Sequence, residues 1–205
     1  MKKLLITCIM VTLSAGCATT NGPTKIVALF NGTNLDNWVI ENGGQFSVQD
    51  GVLKVNRGTG WLRSTGVYAD FTLVMEFRFL EVEANSGIFV RTGPTSHNDE
   101  NGWPSNGYQV QCMDTITGRA PLATMIPYGA PPFESKSDLA ALAKAYKPLG
   151  QWQTYEITCI GETMVVKLNG TQITTATSIK NREGHIGIQA EHGLLDFRKI
   201  KVTDL

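Results

Sequence analysis

Asn85-Ser-Gly-Ile-Phe-Val-Arg91, followed after a polar segment by Gly107-Tyr-Gln-Val-Gln-Cys-Met-Asp114, decides how this chain reads. Ser86, Ile88 and Val90 alternate with Gly87, Phe89 and Arg91, and Tyr108, Val110 and Cys112 alternate with Gln109 and Gln111. Period-two alternation places each set on one face of a strand. One face of the second strand is apolar. The other carries two amides, and the neighbouring strand adds a guanidinium. Amides and arginine can each satisfy several hydroxyls, so the pattern suits a groove for a polyhydroxylated ligand as well as a plain solvated face.

Working outward, Asp70–Leu80 is the longest strand signal. Phe71, Leu73, Met75, Phe77 and Phe79 form a core stripe, with Thr72, Val74, Glu76 and Arg78 opposite. A hairpin through Glu81–Asn85 is expected, which would set Glu76 and Arg78 beside Arg91. Asp50-Gly51 and Asn169-Gly170 are two-residue hairpin turns. His185–His192 alternates again, with Ile186, Ile188 and Ala190 inward and His185, Gln189 and Glu191 outward. One helix is expected, Asp138–Ala145, capped by Ser137 and with Leu139 and Leu142 inward. About a dozen short strands and one helix give an all-β sandwich of two antiparallel sheets. Met75, Phe77, Val110, Ile157 and Ile188 should lie between the sheets.

The 205 residues carry 18 basic and 18 acidic side chains, which leaves no electrostatic case for a nucleic-acid partner. At the N-terminus Lys2 and Lys3 precede the apolar run Leu4–Leu13, then Ser14-Ala15-Gly16-Cys17. This reads as a lipoprotein signal over residues 1–17, with Cys17 acylated, or as an ordinary secretory leader cut nearby. Residues 18–25 read as a tether and 26–205 as the domain. The expected location is the bacterial cell envelope, lipid-anchored, periplasm-facing or on the outer membrane, touching membrane through the N-terminal lipid only. Cys112 and Cys159 occupy apolar-facing strand positions and are expected as buried thiols. No Cys-x-x-Cys pair suggests a structural zinc site.

The polar segment between the two opening strands contains His97 and Trp103. It is long for a turn, and a tryptophan beside a polar groove can stack on a sugar ring. Leu29–Trp38, Asn85–Arg91, Tyr108–Asp114, Gly150–Cys159, Leu168-Asn169-Gly170 and Gly184–Val202 together resemble the 3-keto-disaccharide hydrolase family. The most specific pieces are Asn-Ser-Gly-Ile-Phe-Val-Arg and Ile-Gly-Ile-Gln followed by Phe-Arg-Lys-Ile-Lys-Val. The resemblance implies a concanavalin-like jelly roll with a sugar groove, acting on glycosides oxidised at C3. Many relatives carry Glu where this chain has Gln109.

Such chemistry needs a base near C2, a donor at the developing enolate oxygen and an acid for the leaving oxygen. Candidate bases are His192, Glu191, His97, Glu134 and Asp114. Arg91 and Arg78 could stabilise the enolate. The expected catalytic set is His192, Arg91 and Glu191. The expected substrate-binding set is Glu76, Arg78, Gln109, Gln111, Asp114, Gln189, Trp103 and Tyr128. A divalent cation would polarise the ketone, but no tight ligand motif stands in the sequence. The competing reading is a non-catalytic carbohydrate-binding lipoprotein on the same fold, with Gln109 marking lost catalysis.

Overall fold

The computed structural model describes residues 25–97 and 100–205. The expected leader, Cys17 and all of the expected tether but Lys25 lie outside the described residues. The strands are β1 (Ile26–Ala28), β2 (Trp38–Asn42), β3 (Phe46–Gln49), β4 (Val52–Val55), β5 (Gly60–Ser64), β6 (Phe71–Phe79), β7 (Asn85–Thr92) and β8 (Gly107–Met113). There follow β9 (Met125–Tyr128), β10 (Glu134–Ser137), the helix α1 (Leu139–Ala145), β11 (Gln153–Ile160), β12 (Thr163–Leu168), β13 (Thr171–Thr177), β14 (His185–Ala190) and β15 (Leu195–Asp204).

They form two antiparallel sheets. One has the order β10-β13-β12-β11-β6-β15-β4-β3, with β1 also paired to β15; the other has the order β2-β5-β14-β7-β8-β9. The inward residues of both sheets make one core. Met75, Phe77, Val110, Ile157 and Ile188 are all fully buried in it, as expected. Phe77 packs its ring against Phe79, Tyr155 and Phe197. Trp38 closes one edge and donates its indole N–H to Leu29 O at 2.8 Å. Both expected turns form, with positive φ at Asp50, Gly51, Asn169 and Gly170 as the tight hairpin geometry requires. Cys112 and Cys159 are buried free thiols. Burial pushes Cys159 up to about 12, which keeps it an inert packing group.

Three expectations need correction. The helix is capped by Asp138, whose carboxylate accepts from Ala141 N, while Ser137 pairs with Thr174; Leu142 is buried but Leu139 is exposed. β6 and β7 do not pair as a hairpin. β6 lies between β11 and β15, and β7 between β14 and β8, so the chain crosses from one sheet to the other at Leu80–Ala84. Glu76 and Arg78 therefore face outward from the nine-stranded sheet, on the opposite side of the sandwich from Gln109 and Gln111.

The third correction concerns Arg91. Phe89 pairs with Gly187 and Thr92 with His185, so β7 carries one residue more than β14 over this interval. The bulge breaks the alternation, and Arg91 takes a positive φ of 47°. Its side chain leaves the outer face and reaches the other sheet, wholly buried. There the guanidinium donates to Ala69 O, Gly161 O, Asn181 O and Asp70 Oδ1. Arg91 is thus a clamp between sheets. Asp70 is 39% exposed, so solvent screens the ion pair and the carbonyl bonds carry most of the stabilisation. Arg91→Ala should lower unfolding free energy by about 2–5 kcal/mol, by removing a wholly buried side chain and the donors of part-buried carbonyls. Equilibrium urea denaturation reads this directly; a loss under about 1 kcal/mol would sink the clamp.

Candidate functional site

Trp61 and Phe89 are fully buried yet do not belong to the core between the sheets. They lie on the outer face of the six-stranded sheet, where alternation also puts Gly87, Gln109, Gln111, Gly187 and Gln189. The covering segment, described over residues 93–97 and 100–106, folds over this face. Its Ser96 Oγ accepts from Trp61 Nε1 at 3.1 Å and from Asn42 Nδ2 at 3.0 Å, and Trp103 Nε1 donates to Ala190 O at 3.3 Å. Edge-to-face contacts then link Trp61 to Phe89, Phe89 to Tyr128 and Tyr128 to Trp103, with centroids 5.4–5.8 Å apart. An aromatic wall stands on a face that an exposed sheet would leave wet.

Beside that wall lies a row of buried amides. Gln109 Nε2 donates to Gln111 Oε1 and to Gln189 Oε1, both at 3.0 Å. All three side chains are buried. Two glycines make room. A Cβ on Gly87 would meet Gln109 Nε2 at 1.9 Å, and one on Gly187 would meet Trp61 at 2.5 Å. Gln109 and Trp61 can therefore lie flat on the backbone. Gln109 Oε1 and Gln189 Nε2 have no hydrogen-bond partner among the described residues. Buried groups of this kind are costly unless something satisfies them, so they mark a place for a ligand's polar atoms. The Gln189 amide lies near enough to the Tyr128 hydroxyl to act on it. Burial pushes that hydroxyl up to about 12, the Glu191 charge adds to the rise and the Gln189 amide opposes it.

Glu191 stands at the end of the row, half-buried. Asn85 Nδ2 donates to its Oε2 at 2.7 Å. Burial raises its proton affinity above that of an ordinary glutamate, while the Asn85 bond and the His192 charge hold it partly down. β14 ends at Ala190, so His192 escapes the alternation that would have turned it inward. It is exposed, and its backbone exchanges hydrogen bonds with Asn85. Asn85 therefore orients Glu191 with its side chain and holds His192 with its backbone. Its own Oδ1 is a further buried atom with no partner among the described residues. Asn85 opens β7 and is not among the expected site residues. Its signal is the amide opening the Asn-Ser-Gly-Ile-Phe run.

Gln109, Gln111, Gln189, Tyr128, Trp103 and Glu191 thus come together, with His192 at their rim. Arg91 does not join them. It lies six residues along β7 from Asn85, about 20 Å of strand. Glu76 and Arg78 are on the other sheet. Asp114 sits past the end of β8 with both oxygens engaged, Oδ1 by the Tyr146 hydroxyl and Oδ2 by Glu83 N. Glu134 is exposed on β10 at the far sheet's edge, and His97 is exposed on the covering segment. Among the described residues no group of three or more His, Cys, Asp or Glu side chains could hold a metal ion. One carboxylate amid neutral amides does not fit a hard divalent cation, and no step is derived through one.

A buried amide row under an aromatic wall, on one face of a jelly-roll sandwich, defines a carbohydrate-related protein. The chain belongs to the 3-keto-alpha-glucoside-1,2-lyase-like domain family, whose model matches residues 25–203. No curated protein matches it. Among solved structures it is similar to a candidate glycosyl hydrolase from Parabacteroides distasonis, at 25% identity and TM-score 0.67, over 88% of this chain and 100% of that one. It also shares its fold with the carbohydrate-binding module CBM66 of Bacillus subtilis, at 14% identity and TM-score 0.53, over 80% and 94%. A Bacillus licheniformis beta-glucanase has the same fold at 13% identity and TM-score 0.53, over 90% and 99%.

Gly87→Ala tests the amide row. The new methyl must displace Gln109, at a cost of roughly 1–3 kcal/mol in urea denaturation. A variant as stable as the parent would show the row to be loosely held.

Proposed function

We propose that this protein cleaves 3-keto-glycosides, including 3-keto-disaccharides, by elimination and hydration, and that it does so as a lipid-anchored protein of the bacterial envelope. The observation that carries the chemistry is Glu191. It is a half-buried carboxylate of raised proton affinity, beside amides with unsatisfied buried atoms, in a chain of this family.

The ketone acidifies the C2–H bond. Glu191 takes that proton, and the bonding pair forms the C2–C3 double bond of an enolate. The pair on the enolate oxygen then restores C3=O as C1–C2 becomes double. The C1–O bond breaks with its electrons leaving on the aglycone oxygen, which is protonated. Water adds across the enone, its oxygen to C1 and its proton to C2, and the free 3-keto sugar results. Gln189 Nε2 and the Tyr128 hydroxyl, which stays protonated at neutral pH, supply donors for the enolate oxygen. His192, at the open rim, suits proton exchange with the leaving oxygen. Trp103 and Tyr128 offer surface for the sugar's C–H face.

Gln109 favours a second reading, a binding protein without turnover. Its amide spends its hydrogens on Gln111 and Gln189, where a carboxylate would be an acceptor only. Incubation with an aryl 3-keto-glucoside separates the two. Phenol release supports the lyase, and saturable binding without release supports the binding protein.

The base makes a pH prediction. Glu191 works ionised, so kcat should rise with pH through a value above the ordinary glutamate range. Asn85→Ala removes the bond that favours the carboxylate and should move this limb further up. Glu191→Gln should abolish it, with a rate loss of about 100-fold or more. The stability linkage has the opposite sign. A carboxyl with raised folded-state affinity stabilises the fold below the unfolded value, and that contribution is lost as pH rises through the folded one. An unchanged limb in Asn85→Ala would assign the base elsewhere.

The anchor is tested separately. Cys17→Ser should shift the protein from the membrane fraction to the soluble periplasm, with no acyl mass on the mature N-terminus. Unaltered fractionation would overturn lipidation.

A further inference from the structure

The outward face of the nine-stranded sheet carries a second organised cluster, unused by the chemistry above. Outward positions of β4, β6 and β15 hold Lys54, Arg78, Arg198, Lys199 and Lys201 against Glu76 and Asp196. In a chain of zero net charge this concentrates positive charge on one side. The cluster is also built. Arg78 sends Nε and Nη2 to Asp196 Oδ2 at 2.9 and 2.7 Å, and Asp196 is wholly buried although it faces outward. Arg198 Nε bonds Glu76 Oε2 at 2.6 Å, and Lys199 Nζ bonds the other oxygen at 2.8 Å. Trp152 lies across both guanidiniums, 3.9 Å from Arg198 and 4.7 Å from Arg78. This layer of indole over arginine accounts for the burial of Asp196.

Parts of the cluster remain unspent. Asp196 Oδ1 is buried with no hydrogen bond among the described residues; Lys54 Nζ approaches it only to 3.5 Å. Among the described residues Arg198 uses only Nε, which leaves both terminal nitrogens. Lys201 is exposed and has no ion pair among the described residues. A cleft of about 380 Å³ runs beside them, lined by Arg198, Lys199 and Lys201 with Asn31, Asp50 and Val52 among its walls.

We propose that this face is a second carbohydrate site, selective for an acidic glycan whose sugar units carry carboxylates. The Arg198 terminal nitrogens form a fork matched to a carboxylate, and Lys201 adds charge at the cleft rim. Trp152 supplies an aromatic surface for a pyranose ring next to that fork. Glu76 and Asp196 hold the guanidiniums in place, so little side-chain freedom is lost on binding. The site lies on the opposite side of the sandwich from Glu191, so one molecule can hold an acidic polymer while its other face works on a small glycoside.

The test is calorimetric titration of the full chain with tetragalacturonate at two salt concentrations. Saturable binding that weakens with salt is expected. Trp152→Ala and Arg198→Gln should each weaken it at least about tenfold. Lys201→Gln, at a wholly surface position, should weaken it several-fold and flatten the salt dependence, and it keeps the test readable if Trp152→Ala fails to fold. None of these should change turnover of an aryl 3-keto-glucoside, and Glu191→Gln should leave tetragalacturonate binding intact, so this site and the lyase reading fail independently. No saturable binding, or unaltered affinity in Lys201→Gln and Arg198→Gln, overturns the proposal. So does binding to phosphatidylglycerol vesicles through these residues without binding to the tetramer.

Discussion

The guanidinium of Arg91 holds the two sheets to one another. Its hydrogen bonds reach carbonyls of Ala69, Gly161 and Asn181, at the start of β6, between β11 and β12, and before β14. Those part-buried carbonyls come from turns whose own ladders have ended, and the guanidinium supplies the donor that a neighbouring strand would otherwise give. The clamp exists because β7 carries an extra residue opposite β14. The same bulge closes the regular part of β7, so the outer-face row runs from Asn85 to Phe89 and goes no further.

Within that row, burial does most of the chemical tuning. An outer sheet face ordinarily meets water and leaves its side chains near their ordinary proton affinities. Here residues 93–97 and 100–106 and the ring series Trp61, Phe89, Tyr128 and Trp103 remove water from it. The same exclusion raises Glu191 and Tyr128 and makes the orphan atoms of Gln109, Gln189 and Asn85 energetically significant. Gly87 and Gly187 permit it, since any side chain there would lift Gln109 or Trp61 off the sheet.

The two outer faces have solved the burial of polar groups differently. The six-stranded sheet uses neutral amides bonded to one another, with Gln109 Oε1 and Gln189 Nε2 left without a partner among the described residues. The nine-stranded sheet uses charges in near-complete pairs beneath an indole. Neutral donors suit uncharged hydroxyls and ketones, whose recognition must not depend on salt. Charged forks suit an anion, whose recognition does.

From the sequence alone, period-two alternation determined which residues face inward on each strand. Phe71, Leu73, Met75, Phe77, Phe79, Val110, Ile157 and Ile188 are buried as it requires. The Asp-Gly and Asn-Gly dipeptides determined two hairpins, because those residues tolerate the positive φ the turns need. The amides at 109, 111 and 189 were legible as one polar set for the same reason. Alternation says nothing about which strand lies beside which, since pairing depends on how the whole core closes. Only the tertiary structure could therefore send β6 and β7 to different sheets and remove Glu76 and Arg78 from the amide row. It alone decided Arg91, because one inserted residue reverses the face of a side chain and is invisible in a local pattern. It alone gave Asn85 its place, since that role rests on a hydrogen bond to a residue 106 positions further along the chain.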